Sequence, residues 1–163
     1  MIRKIFLLVF ILFPFLSYSQ GAEKKSINWI SLNKAENFAK KYNKNMLIFF
    51  YRPGCEYCDK MKQETLNDTE ITQIINENFL PVMINGRGKD TIIFNNKKYG
   101  NQQPADHGYT WRHDFFAELV KPVNNSYYWP DIVIINNKYE KLDQFSGFQP
   151  RQQLLRNLKK FIK

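Results

Sequence analysis

The chain has 163 residues, 44% of them apolar and 16% aromatic, with a formal charge of +9. That content supports one domain with a real core and excludes a disordered polymer. The positive charge is spread over Lys24-Lys25, Lys40-Lys41, Lys44, Lys97-Lys98 and Lys159-Lys160, with no phosphate-tracking stripe, so it reads as a solvated surface and excludes a nucleic-acid binder.

Met1 to Lys4 is a short basic start, and Ile5 to Leu16 is a twelve-residue apolar block broken only by Pro14. Ser17-Tyr18-Ser19 puts small residues where a signal peptidase reads, so residues 1–19 are expected to be a secretory signal peptide. Twelve residues fall short of the roughly 20 that span a bilayer, and no stable membrane insertion is expected after cleavage. No cysteine ends the leader, which excludes lipid attachment there. Loss of Arg3 and Lys4 would lower the formal charge from +9 to +7. The expected location is a periplasm or the extracellular space.

Residues 20–30 read as a polar lead-in, loose through Asn28, and residues 31–163 as the folded domain. From Ser31 or Asn33 as N-cap, Leu32, Ala35, Phe38, Ala39 and Tyr42 fall on one helical face, which Asn43-Lys44-Asn45 ends. Met46 to Tyr51 is a six-residue aromatic, β-prone run and reads as a buried strand. Pro53-Gly54 breaks it, and Glu56 to Leu66 reads as one helix.

The only two cysteines, Cys55 and Cys58, lie at that break in a Cys-x-x-Cys. A helix opening at Cys55 presents unpaired backbone N–H groups and the positive end of its dipole to the sulfur, which stabilises a thiolate. Cys58, one turn on, is placed to close a disulfide with it. This is the local geometry of a redox-active dithiol. Glu56 puts a negative charge beside the nucleophile and opposes the dipole, while Arg52 acts in the other direction.

Asp68 is the expected N-cap of a second helix with Ile71, Ile74 and Ile75 inward, and Phe79 to Ile84 reads as a strand whose Pro81 suggests an edge. Residues 85–126 read as an insertion. In it, Thr91–Phe94 and Lys97–Tyr99 form a hairpin about Asn95-Asn96 and Gly100 to Gly108 is a polar loop. Trp111 to Val120 is a helix with Trp111, Phe115, Leu119 and Val120 on one side. Ile132 to Ile135 is a buried strand, turning at Asn136-Asn137 into Tyr139–Phe145. Pro150 then opens a final helix striped by Leu154, Leu155, Leu158, Phe161 and Ile162. The order predicts an α/β fold, with a central mixed sheet flanked by helices on both faces.

These residues resemble the thioredoxin superfamily, most of all its secreted single-domain members. The resemblance covers roughly residues 29–162 and rests on Cys55-Glu56-Tyr57-Cys58, Asp68-Thr69-Glu70-Ile71 and Asn78-Phe79-Leu80-Pro81-Val82. It implies a cis-proline against the dithiol, at Pro130 of Trp129-Pro130-Asp131, and a His-bearing insertion helix before it. Three positions depart: Gly54 stands where a tryptophan is usual, Phe49 where thioredoxin has a buried aspartate, and Asp59 before Lys60 where a lysine commonly follows the second cysteine. The resemblance implies thiol–disulfide exchange on protein disulfides without a cofactor, with Cys55 as nucleophile and Cys58 as resolving thiol. Pro130, Trp129 and Tyr57 would line the substrate groove. Reduction or isomerisation is the expected direction, because Glu56 makes the reduced thiolate less stable. An exported reductase requires a membrane-bound electron donor.

Three other readings of the cysteines stand beside this one. A structural disulfide fits an exported protein, although so short a loop constrains the unfolded chain little. A metal site could combine the cysteines with His107 and His113, although 48 residues separate Cys58 from His107. Last, the domain could be a binding module with an incidental dithiol.

Overall fold

The computed structural model describes residues 26–101 and 112–162. The expected signal peptide, most of the lead-in, and the loop carrying His107, Tyr109 and Trp111 lie outside the described residues. Among the described residues no helix is long and apolar enough to cross a membrane.

Helix α1 (Leu32–Tyr42) starts at Ser31, whose side chain accepts the Lys34 N–H, and stops at Asn43, a left-handed residue with φ 50°. It leads into strand β1 (Asn45–Tyr51). Helix α2 (Glu56–Lys60) follows the Pro53-Gly54 break, and the chain continues as a π turn over Met61–Thr65. The single helix expected over Glu56–Leu66 is thus two geometries. The Leu66 N–H reaches back five residues to the Met61 carbonyl at 2.8 Å, bringing Thr65 and Leu66 over Met61, and all three are buried. The Thr65 hydroxyl then donates to the Gln149 carbonyl at 2.9 Å, fastening the turn to the entrance of the last helix.

Helix α3 (Thr69–Asn78) is capped by Asp68, which accepts the Glu70 and Ile71 N–H groups. Arg151 also donates to Asp68, at 2.7 Å. Strand β2 (Phe79–Asn85) runs parallel to β1 at the sheet edge, where Pro81 needs no ladder partner for its missing N–H. Strands β3 (Ile92–Phe94) and β4 (Lys97–Tyr99) pair as the expected hairpin, with Asn95 and Asn96 at φ 49° and 61°. Helix α4 (Asp114–Leu119) begins three residues later than the expected start at Trp111, because the His113 side chain caps it.

Strand β5 (Asp131–Ile135) is antiparallel to β1, and strand β6 (Lys141–Ser146) is antiparallel to β5. The connecting turn is longer than a two-residue hairpin at Asn136-Asn137, and Tyr139 stays out of the strand. Asn136 accepts the Lys138 and Glu140 N–H groups on its side chain, and Tyr139 takes φ 68°. Tertiary contacts hold Tyr139 there: its hydroxyl donates to the Glu36 carbonyl and its ring lies 5.0 Å from that of Phe94. Helix α5 (Arg151–Lys159) closes the fold after Pro150, with Phe161 and Ile162 beyond its end.

The sheet order is β2-β1-β5-β6. Because successive strand residues face opposite ways, β1 is divided between two cores. Met46, Ile48 and Phe50 pack with α1, the hairpin and α4, whereas Leu47 and Phe49 pack with the π turn, α3 and α5. Ile27 and Trp29 of the lead-in belong to this second core, whereas Ile30 packs against the first. Ile27 is 7% exposed, the Asn28 N–H donates to Asn76, and the Ile30 N–H donates to the Pro81 carbonyl, so the segment is not loose through Asn28.

Candidate active site

The C-terminal ends of β1 and β2 meet the start of β5. Tyr51 is level with Asn85, Phe50 with Asp131, and the Gly86 N–H donates to the Tyr51 carbonyl at 2.8 Å. The Cys-x-x-Cys turn leaves β1 at this edge and the Trp129-Pro130 turn enters β5 beside it. The strand ends therefore gather the two segments from 75 residues apart in the chain.

Gly54, at φ 64°, supplies the left-handed step that turns the strand into the helix; a β-carbon there would strain the turn. Cys55 is the N-cap of α2. The Cys58 N–H donates to its Sγ at 3.1 Å and to its carbonyl at 3.0 Å. The two cysteines form a disulfide, S–S 2.10 Å. Cys55 is 3% exposed and Cys58 is fully covered, so of the pair only Cys55 offers surface to an incoming sulfur. On reduction, the amide aimed at Cys55 Sγ favours its thiolate.

Around the pair, Tyr57 stands 58% exposed on α2. Glu56 is exposed in the first turn, and the Arg52 guanidinium folds over the turn, 3.4 Å from the carbonyls of Pro53 and Gly54. The Trp129–Pro130 peptide is cis and Pro130 is buried. Its carbonyl accepts the Gly147 N–H at 2.8 Å. Trp129 is half-buried, its indole stacked on Phe116 with centroids 4.4 Å apart and planes 17° apart. One face of this ring is therefore core, and only the remainder can meet a partner.

His113 is 1% exposed and uses both ring nitrogens: Nδ1 accepts the Phe115 N–H at 3.1 Å and Nε2 lies 2.9 Å from the Asp90 carbonyl. It is a buried helix cap, and the alternative that enlists it as a metal ligand loses that residue.

Two features of this region escaped sequence reasoning. Gly86 lies beneath Trp129, where a β-carbon would come within 2.4 Å of the ring. Asp131, the residue after the cis-proline, has no exposed surface at all. Burial pushes its pKa up, the Ser146 hydrogen bond, Lys141 and Gln144 pull it down, and the net result is about 7. Its sequence signal was an acidic residue abutting four apolar strand residues, a place where charge is costly.

A mixed four-stranded sheet, helices on both faces, a Cys-x-x-Cys at a helix start and a cis-proline beside it define a thioredoxin-fold protein. Residues 32–162 match the family profile described as a thioredoxin-like domain, and the chain belongs to that family. No curated protein matches it in sequence. Among solved structures it is similar to one titled "DsbH Oxidoreductase", at 19% identity and TM-score 0.59, covering 89% of this chain and 90% of that one. It is also similar to a thioredoxin from Thermus thermophilus, at 15% identity and TM-score 0.57, covering 83% of this chain and 87% of that one. A disulphide isomerase from Xylella fastidiosa Temecula1 is similar at 16% identity and TM-score 0.54, covering 89% and 95%.

Proposed function

We propose that the chain is an exported thiol–disulfide oxidoreductase that reduces or isomerises disulfides in protein substrates. The observation that carries this reading is the asymmetry of the pair. The cysteine that keeps some exposure, Cys55, is also the one whose sulfur accepts a helix amide, while Cys58 is covered behind it. Attack by one thiol and resolution by another requires that division of labour.

The Cys55 thiolate attacks one sulfur of a substrate disulfide. A Cys55–substrate disulfide forms, the substrate S–S bond breaks, and the departing substrate thiolate takes a proton. The Cys58 thiolate then attacks Cys55 Sγ, closing the internal disulfide and releasing the second substrate thiolate. The substrate gains two electrons and the Cys55–Cys58 pair loses them. Return to the dithiol needs an external reductant, and for an exported protein a membrane-bound donor is the fitting class. Export itself is supported by the basic start and apolar block of residues 1–19.

Pro130, Trp129 and Tyr57 line the groove in this reading. Arg52 favours the Cys55 thiolate, whereas Glu56 opposes it, and the Glu56 charge is what favours reduction or isomerisation over oxidation. The names of the DsbH and disulphide isomerase structures are consistent with this chemistry.

The test is the reduction potential of Cys55–Cys58, read by thiol alkylation after equilibration in defined thiol buffers. A reversible value between about −120 and −270 mV is expected, the range of catalytic dithiols. A disulfide that stays closed below roughly −300 mV would mark a structural staple and overturn the reading.

A further inference from the structure

The carboxyl of Asp131 belongs to none of the exchange steps, yet it sits at the root of the cis-proline turn in a dense polar network. Its Oδ2 accepts the Ser146 hydroxyl at 2.6 Å and the Gln144 side-chain amide at 3.2 Å. Gln144 is a hub. Its Oε1 accepts Lys141 Nζ at 2.6 Å and the Lys121 N–H at 2.9 Å, and its Nε2 also donates to the Lys121 carbonyl and to Ser146 Oγ. Lys141 Nζ donates in turn to the Leu119 carbonyl at the end of α4. One side-chain network thus joins the first residue of β5, the edge strand β6 and the segment leaving α4.

The same two chain segments are joined again one residue away. Gly147 N–H to Pro130 carbonyl and Ser146 hydroxyl to Asp131 carboxylate are neighbouring ties between consecutive residues on each side. On its other side the turn is held by the stack of Trp129 on Phe116, a residue of α4. Asp131 therefore anchors the strand end of a turn whose other end is the tryptophan of the groove.

We propose that Asp131 is a positioning residue of the substrate groove, and that gain or loss of its proton sets how firmly the Trp129-Pro130 turn is held for a docking polypeptide. The inference rests on the oxidoreductase reading for its consequence in turnover, but not for the coupling itself. The ionised carboxylate takes two charge-assisted hydrogen bonds from β6. Its other oxygen, Oδ1, is buried without a hydrogen-bond partner, so a proton arriving there finds no acceptor, and the pull on Ser146 and Gln144 weakens. Firm holding belongs to the anion.

Lys141 attracts the charge of Asp131. Lys121 and Asp143 act on Lys141, with opposite signs. From β1 the facing partner is apolar Phe50, and from α4 it is the Leu119 carbonyl through Lys141. The balance of burial against these groups brings the change to about pH 7.

The experiment follows the Gly147 backbone N–H and the Trp129 indole N–H by NMR from acid to alkaline pH. The wild type is compared with Asp131→Asn and Ser146→Ala. Both signals should move in the wild type with a common midpoint near 7. They should stay flat in Asp131→Asn. In Ser146→Ala the midpoint should rise, because a bond to the charged form is gone. A wild type that does not titrate at these groups, or an Asp131→Asn that titrates as the wild type does, overturns the proposal. Ser146→Ala decides it alone if Asp131→Asn does not fold.

Turnover supplies a second arm, as the ratio of the rate on a protein disulfide to the rate on a small disulfide. This ratio cancels the ionisation of the attacking thiol. It should fall by up to roughly tenfold between about pH 8 and about pH 6 in the wild type, and hold level in Asp131→Asn. A ratio with the same pH dependence in both overturns the gating of docking. A chain that exchanges with neither disulfide overturns the oxidoreductase reading, while the two NMR signals still decide the coupling.

Discussion

Gly86 lies directly beneath Trp129: a β-carbon on it would be 2.4 Å from the indole Cη2, 2.6 Å from Cζ3 and 3.0 Å from Cδ2 of Phe116. The backbone of the same residue donates to the Tyr51 carbonyl and accepts the His113 N–H, both at 2.8 Å. Gly86 is thus where the end of β1, the start of α4 and the cis-proline turn come together, and it must be small because the tryptophan fills the space a side chain would take.

The first prediction is that Gly86→Ala pushes Trp129 aside. Overpacking at a site held by backbone on two sides should cost about 1–3 kcal/mol, measured by denaturant unfolding. Exchange with a protein disulfide should slow more than exchange with a small one. Unchanged stability would mean that the ring swings away freely.

Cys55→Ser should abolish exchange, since it removes the accessible sulfur. Cys58→Ser should leave the attack intact and remove the resolving thiol, so a mixed disulfide with substrate accumulates on a non-reducing gel. Accumulation in Cys55→Ser instead would reverse the assigned roles.

Trp129→Ala should lower the rate on protein disulfides and leave the rate on a small disulfide intact, because the exposed part of the ring meets only a polypeptide. It should also destabilise the fold by about 3–5 kcal/mol if its cavity against Phe116 does not collapse. Equal losses of rate in the two assays would remove Trp129 from the groove.

Asp131 makes stability depend on pH in the direction opposite to a salt-bridged aspartate. Its folded value is raised from the ordinary 3.8 to about 7, so between these values the folded chain binds more protons than the unfolded one. The contribution is fully present below the unfolded value and is lost as pH rises through the folded one. The loss is on the order of 4 kcal/mol. Unfolding curves of wild type and Asp131→Asn between pH 4 and pH 8 should therefore diverge in slope, with the variant lacking this decline between about pH 4 and about pH 7. Parallel curves would show that the carboxyl is ionised throughout.

Most of the frame was legible in the chain because its signals are local. The aromatic run of β1, the caps at Ser31 and Asp68, the Asn95-Asn96 turn and the Gly54 break each follow from the residues that form them. Where local preference meets a tertiary demand, the tertiary demand prevails. Tyr139 looks like a strand residue, but its hydroxyl and ring are claimed by Glu36 and Phe94. The helix expected to start at Trp111 starts at Asp114, because His113 has both a capping amide and the Asp90 carbonyl to satisfy.

By itself the sequence determined the class of fold, the place of the two cysteines at a strand-to-helix break, and a proline turn entering a buried strand. Periodicity, turn chemistry and capping are properties of neighbours in the chain. Only the tertiary structure decided that Gly86 must be bare beneath Trp129, that the second ring nitrogen of His113 meets the Asp90 carbonyl, and that Asp131 is sealed from water among Ser146, Gln144 and Lys141. These are relations between residues far apart in the chain, set by how β1, β5 and β6 register and by what α4 covers. Burial and partnership, which fix the cost of a charge and the room for a side chain, exist only once the layers have packed.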